Sequence, residues 1–129
     1  GIATFRPVLV ANPADHVIHS ARYSVSEITW QACQDAQRVI AIGTTTVRAL
    51  ESAARGALAG RTELFLRRGS KFEIVDMMMT NFHMPRSTLL MMIDAFIGER
   101  WKDLYEDALA SGYRFLSFGD AMLLNRALR

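Results

Sequence analysis

Apolar positions along this chain switch between a spacing of two and a spacing near 3.6, the pattern of strands interleaved with helices. Residues 4–10 are rich in Phe and Val and predict a strand, with Pro7 confining it to an edge. Asn12-Pro13-Ala14-Asp15 is a turn. Ser24-Val25-Ser26-Glu27 has the form of a capping box ahead of Ile28, Trp30, Ala32 and Cys33, which predicts a helix over residues 25–36. Residues 38–42 form a short apolar run closed by Gly43, the pattern of a central strand. Val47, Leu50, Ala53 and Ala54 then recur at helical spacing, with Gly56 as the C-cap. Residues 62–66 and 72–75 predict the two strands of a hairpin around Arg67-Arg68-Gly69-Ser70-Lys71.

The second half is organised by residues 75–96. A strand-like run from Val75 gives way to Thr80-Asn81-Phe82-His83-Met84-Pro85-Arg86, and Ser87-Thr88 opens a segment that is apolar on nearly every side. Pro85 disfavours helical geometry at Met84, and Ser87 is a good N-cap, so a polar loop feeds the start of a buried helix over residues 89–97. Residues 99–111 predict an amphipathic helix stopped by Gly112. A strand over residues 113–116 and a turn over 117–120 close the chain, leading into Ala121-Met122-Leu123-Leu124.

Composition narrows this further. With 129 residues, half of them apolar, the chain has the size of one α/β domain with a real core. The formal charge of +2 is too mild to argue for nucleic acid by itself. The single cysteine, Cys33, excludes an internal disulfide, suits a reducing cytosol and is most simply a small buried hydrophobe. No apolar run reaches membrane-spanning length, so a cytoplasmic chain without a membrane partner is expected. The spacing of His16, His19, His83 and Cys33 fits no zinc pattern, and no metal site is assigned.

Two stretches carry candidate chemistry. Gly43-Thr44-Thr45-Thr46 is a Thr-rich turn between a strand and a helix, where free helix amides and hydroxyls favour an anion. Arg48 follows within the first turns; its guanidinium can hold a carboxylate or phosphate by two prongs, or pair with Glu51. In the second stretch His83 is the one side chain that exchanges a proton near neutral pH, and Asn81 can orient its ring. Its alternative is a loop histidine bonded to backbone. Asp76 follows an apolar run and either titrates as a catalytic group or bonds the amides of its own turn. Arg6 is either a ligand contact or a solvent-facing charge, and Asp120 either holds a substrate hydroxyl or caps its turn.

Four stretches in this order resemble a known family: Thr4-Phe5-Arg6-Pro7-Val8; Gly43-Thr44-Thr45-x-Val47-Arg48-x-Leu50-Glu51; Asp76 with Thr80-Asn81-Phe82-His83-x-Pro85-x-Ser87-Thr88-Leu89; and Tyr113-Arg114-Phe115-x-Ser117-x-Gly119-Asp120. The family is that of the S-adenosylmethionine:tRNA ribosyltransferase-isomerases of queuosine biosynthesis, and the four stretches cover nearly the whole chain. The resemblance implies transfer and isomerisation of the ribosyl part of S-adenosylmethionine onto 7-aminomethyl-7-deazaguanine at the tRNA wobble position, giving epoxyqueuosine. S-adenosylmethionine is then a consumed substrate, and no separate cofactor is implied. His83 and Asp76 become the catalytic candidates. Arg6, His19, Gly43, Thr44, Thr45, Arg48, Thr80, Asn81, Arg86, Ser87, Thr88 and Asp120 become the substrate-binding ones. The family's His-x-His-Ser arrangement is broken here, with Val17 in place of the first histidine, which leaves His19 as the candidate.

Members of the family are much longer and carry a β-barrel domain with no counterpart in this chain. The expectation is therefore a C-terminal fragment of a two-domain enzyme, inactive without its missing N-terminal part, with a truncated homologue as the alternative. The fold expected is α/β: a mainly parallel sheet with flanking helices, made mixed by the hairpin over residues 62–75. A non-catalytic RNA-binding or interaction domain derived from the same family is the competing function. Binding of S-adenosylmethionine by the chain separates the two.

Overall fold

The computed structural model describes residues 20–126. In chain order the elements are β1 (Ala21–Ser24), α1 (Glu27–Asp35), β2 (Ile40–Ile42), α2 (Thr44–Ala54), β3 (Ala59–Thr62), β4 (Met77–Asn81), α3 (Thr88–Ile97), α4 (Arg100–Ala110) and β5 (Ala121–Asn125). The strand expected over residues 4–10, with Arg6, and the loop position of His19 lie outside the described residues. Among the described residues no helix is long and apolar enough to cross a membrane.

A three-stranded sheet has the order β2-β4-β5, with β2 parallel and β5 antiparallel to β4. A separate ribbon pairs β1 with β3 antiparallel. The architecture is mixed α/β, as expected. The sheet is not mainly parallel, however: β2 with β4 is the one parallel pairing among the described residues. Ala41, Met78 and Leu124 share a row, and with Thr80 and Met122 they form the buried face against α2 and α3. Ile42, Met79 and Leu123 share a row on the other face and are 68%, 37% and 54% exposed. β2 is thus an edge strand rather than a central one. Its apolar run is buried only at alternate positions, Val39 and Ala41, while Ile40 and Ile42 face outward.

Local capping explains the helix starts. α1 is capped by Ser26, whose hydroxyl accepts from Thr29 N at 3.1 Å. Ser24, expected as the cap, is instead the last residue of β1, and Val25 N donates to Leu58 O at 2.7 Å. The ribbon pairing therefore moves the helix start by two residues. α3 follows its expectation: Leu89, Leu90, Met92, Ile93, Phe96 and Ile97 are buried. Asp94, its one charged position, accepts from Trp101 Nε1 at 2.9 Å and from both Nε and a terminal nitrogen of Arg68. Arg68 is thereby tied to α3.

Three expected strands, over residues 62–66, 72–75 and 113–116, are absent. β3 ends at Thr62, and residues 72–75 form no ladder, so there is no hairpin over residues 62–75. The backbone of this segment bonds to a side chain instead. The Glu51 carboxylate, on α2 and fully buried, accepts from Glu73 N at 2.7 Å, Ile74 N at 3.1 Å and Val75 N at 3.0 Å. Arg55 donates to the same carboxylate at 2.7 Å. Amides held by a carboxylate need no partner strand, which is why an apolar run here stays outside the sheet. Residues 113–116 likewise form no strand, because Phe115 packs against Phe82 and Leu116 N donates to Phe82 O at 2.9 Å. The last strand is β5, which pairs with β4 from Met77↔Asn125 to Asn81↔Ala121.

Removing one member of a buried charged network leaves the others desolvated and unpaired. Glu51→Ala should therefore lower the unfolding free energy by about 3–5 kcal/mol, and Glu51→Gln by about 1–3 kcal/mol. Denaturant titration measures both, and amide exchange at Glu73, Ile74 and Val75 should accelerate in the alanine variant. A near-wild-type midpoint for Glu51→Ala would refute this account of the segment.

Candidate active site

The parallel pairing of β2 with β4 brings their C-terminal ends to one edge of the sheet, and each then feeds a helix. Gly43 closes the first turn with φ 93°, a left-handed conformation that favours glycine, and its N–H donates to Met79 O at 2.8 Å. α2 begins at the next residue without a side-chain cap. α3 begins at Thr88, capped by Ser87, whose hydroxyl donates to Met84 O at 2.8 Å and accepts from Leu90 N at 3.1 Å.

Thr44, Thr45, Arg48 and Ala49 of α2, and Thr88, Leu89 and Met92 of α3, face a cleft of about 440 Å³. Its other wall comes from Ala21, Arg22, Tyr23 and Ser24 of β1 and from Thr62, Leu64 and Leu66. This is a mostly apolar pocket with a few convergent hydroxyls and two cations, the buried Arg48 and the exposed Arg22, at the strand edge where open α/β sheets bind ligands. Two of the sequence candidate stretches thus meet in one place. Thr44, Thr45, Arg48 and Thr88 line the cleft, with Gly43 at its base turn and Ser87 behind it.

Arg48 is largely buried, and its contacts are to the protein. Nε donates to Leu64 O at 3.0 Å and a terminal nitrogen donates to Thr62 O at 3.1 Å. Burial pushes its guanidinium below the ordinary arginine value. The two-pronged contact expected for a ligand is therefore made to the backbone that forms the opposite wall. What Arg48 offers the cleft is positive charge at a fixed position. Ser52, one turn on, adds a 2.7 Å bond from its hydroxyl to Thr62 Oγ1.

His83 lies in the loop between β4 and α3, buried, and is not among the residues lining the cleft. Its Nε2 lies 2.8 Å from Thr80 Oγ1, so the Thr80–His83 pair forms a unit. Its N–H donates to the Tyr105 hydroxyl at 2.9 Å. Burial lowers the imidazole pKa from 6.5 to about 4, so the ring is neutral at physiological pH. Burial also pushes the Tyr105 phenol up to about 12, against the opposing pull of the His83 amide. Beneath the loop, Phe82 stacks on Phe115 at 4.9 Å and meets Tyr105 edge-on at 5.2 Å. A neutral imidazole in this setting can accept a proton or orient a hydroxyl, but it is not a resting acid.

The remaining candidates are dispersed. Asp76 precedes β4 at the opposite end of the strand from Thr80, about 13 Å away at the usual rise per residue. Its carboxylate accepts from Val39 N at 2.8 Å and pairs with Arg126 at 3.4 Å, which staples β2, β4 and the end of β5 together. The structure therefore does not bring Asp76 together with His83. Asn81 donates from its side chain to Asp120 O at 3.0 Å, while the Asp120 carboxylate accepts from Arg114 N and pairs with the Arg114 side chain. These two close the 114–120 loop onto the end of β4. Arg86 is exposed on the turn before α3 with φ 57°, a conformation costing about 1–3 kcal/mol in a non-glycine residue. The cleft wall built by β1 and residues 62–66 was not legible in the sequence, since it depends on pairing segments nearly forty residues apart. The partnership of Tyr105 with His83 carried no local signal either.

His83 generates a pH prediction. Its folded pKa lies below its unfolded value, so the unfolded chain binds more protons between about 4 and 6.5. The stability it contributes is complete above 6.5 and is lost as pH falls through that window towards about 4. Carbon NMR of the His83 ring should hold the neutral chemical shift from about pH 8 down to about pH 5. An unperturbed titration midpoint would show instead that the ring is open to water.

Comparison with known proteins gives this geometry a family. The chain matches the queuosine biosynthesis protein family over residues 1–124. It is 48% identical over 136 residues to the S-adenosylmethionine:tRNA ribosyltransferase-isomerase of Thiobacillus denitrificans, covering 98% of this chain and 40% of that one. The protein of the same name from Rubrobacter xylanophilus is also 48% identical, over 100% of this chain and 40% of its own. Among solved structures, the chain is similar to S-adenosylmethionine tRNA ribosyltransferase from Thermotoga maritima, with a TM-score of 0.72 and 44% identity over 77% of this chain and 39% of that chain. This chain spans about 40% of the length of the curated relatives it matches. By sequence over nearly its whole length and by fold, this chain belongs to the queuosine biosynthesis protein family.

Proposed function

We propose that this chain supplies part of the active site of a cytoplasmic enzyme that transfers the ribosyl part of S-adenosylmethionine to 7-aminomethyl-7-deazaguanine at the wobble position of tRNA. The transferred ring isomerises to the epoxycyclopentane of epoxyqueuosine as its bonds to adenine and to the methionine sulfur break, and adenine and methionine leave. The observation that carries the reading is the cleft shared by the N-termini of α2 and α3, with Thr44, Thr45, Arg48 and Thr88 on it. S-adenosylmethionine is a substrate here, and the chemistry uses no further cofactor.

Each part of the substrate has a matching wall. The carboxylate of its methionine half is favoured beside the first-turn amides after Gly43 and the fixed charge of Arg48. Thr45 and Thr88 hydroxyls suit ribose oxygens, and Leu64, Leu66, Leu89 and Met92 suit the thioether stem and the purine face. His83, neutral and bonded to Thr80, is the base of this reading. Held by Thr80 behind the lining of the cleft, it takes up a proton as the ribosyl ring rearranges. The segments supplied by the rest of the enzyme complete the site. Asp76 acts through the sheet it staples, away from the reacting atoms.

Two substitutions in the full-length frame of the relatives separate binding from chemistry. Thr45→Val removes a hydroxyl on the exposed cleft wall and should weaken S-adenosylmethionine binding about 3–10-fold with little change in stability. His83→Ala should cut the single-turnover rate about 10²–10⁴-fold while leaving that affinity close to wild type. Equilibrium titration and single-turnover kinetics, both normalised to folded protein by thermal unfolding, read the two effects. Near-normal turnover per folded molecule in His83→Ala would reduce the histidine to a structural role, and no binding of S-adenosylmethionine by the parent protein would remove the whole reading.

A further inference from the structure

On the β1–β3 ribbon, Arg22 and Arg61 stand directly opposite each other in the antiparallel register. Both are exposed, and strand alternation puts them on the face away from Tyr23, whose hydroxyl donates to Ala57 O beneath. Cβ atoms of such a pair are about 4.5–5.5 Å apart, and like charges so placed repel. Neither arginine has an acidic partner among the described residues; Arg61 reaches only the Ser20 hydroxyl, at 3.5 Å. This contrasts with Arg55, Arg68, Arg114 and Arg126, each of which has a carboxylate.

The position of the pair gives it a use. Arg22, Tyr23, Ser24, Gly60 and Arg61 line an open hollow, and Arg22, Tyr23 and Ser24 also line the candidate active-site cleft. Arg22 thus stands where the hollow meets the cleft, with Arg61 opposite it across the ribbon on the hollow's side. We infer that Arg22 and Arg61 together bind the phosphodiester backbone of the RNA substrate beside the nucleotide that enters the cleft. Guanidinium forks match phosphate oxygens by two parallel bonds, and a phosphate between the two cations removes the repulsion that the bare ribbon carries. The inference rests on the proposed RNA substrate but not on the proposed chemistry, because backbone binding needs no S-adenosylmethionine.

The test is fluorescence anisotropy of the chain with a labelled tRNA anticodon stem–loop, repeated across a salt series from about 50 to 200 mM. Replacing both arginines, Arg22→Gln with Arg61→Gln, should weaken binding about tenfold and flatten the log–log salt dependence by about 1.4–1.8, the release expected for two phosphate contacts. Arg22→Glu alone is the sharper variant. It places opposite charges across the ribbon, so it should raise the melting temperature while lowering RNA affinity, a divergence that a structural role does not produce. Lys102→Glu on α4, outside the hollow, makes the same change in net charge and should leave the salt slope as it is. An unchanged slope in the double variant, an equal effect from Lys102→Glu, or absence of stem–loop binding by the parent chain at low salt would each overturn the inference. S-adenosylmethionine titrated in parallel keeps the two readings apart: loss of its binding with the arginine effect intact counts against the proposed chemistry alone.

Discussion

The structure depends on one buried carboxylate. Glu51 sits within α2 at zero exposure and gathers three consecutive amides of residues 73–75 together with Arg55. An ionised group so far from water is tolerated only when donors surround it, and here the donors are the backbone that leads into β4. The same helix face carries Arg48 and Ser52, bonded to Leu64 O, Thr62 O and Thr62 Oγ1. The long connection from β3 to β4 is thus fastened along one helix by side-chain bonds in place of a strand ladder. Because α2 also opens the cleft, this fastening sets the distance between the cleft's two walls.

The cleft follows from that constraint and from the direction of two strands. Parallel β2 and β4 deliver Gly43 and the residue 82–87 loop to one edge, so that two helix N-termini border the same space. Hydroxyls dominate its polar lining, and its one buried cation is already anchored to carbonyls. A site of this kind favours a ligand that is anionic at one end and amphipathic along its length. His83 stands just outside the lining, neutral because it is buried and held by Thr80 and Tyr105. The aromatic group of Phe82, Tyr105 and Phe115 fixes the loop that carries it.

The arrangement also separates two kinds of acidic residue. Glu51 and Asp94 tie loops to helices, and Asp76 ties strands to one another. None of the three lines the cleft. Among the described residues, the lining of the cleft therefore holds hydroxyls and arginines and no carboxylate.

Features that act over a few residues could be read directly from the chain. The Ser87 cap, the glycine turn at Gly43 and the buried character of α3 were all legible in it, because caps, turns and helical period are local. The four motif stretches likewise carried the family. Tertiary structure decided what needed a distant partner. β1 found β3 across nearly forty residues and so built the unforeseen wall of the cleft and moved the start of α1. The apolar runs at 39–42 and 72–75 read alike, yet one became a half-exposed edge strand and the other a segment held by Glu51. Asp76 and His83 lie seven residues apart and read as one constellation, but an extended strand carried them to opposite ends of the sheet. Hydrophobic pattern states what must be buried; it does not state which backbone amides will find a ladder and which a carboxylate.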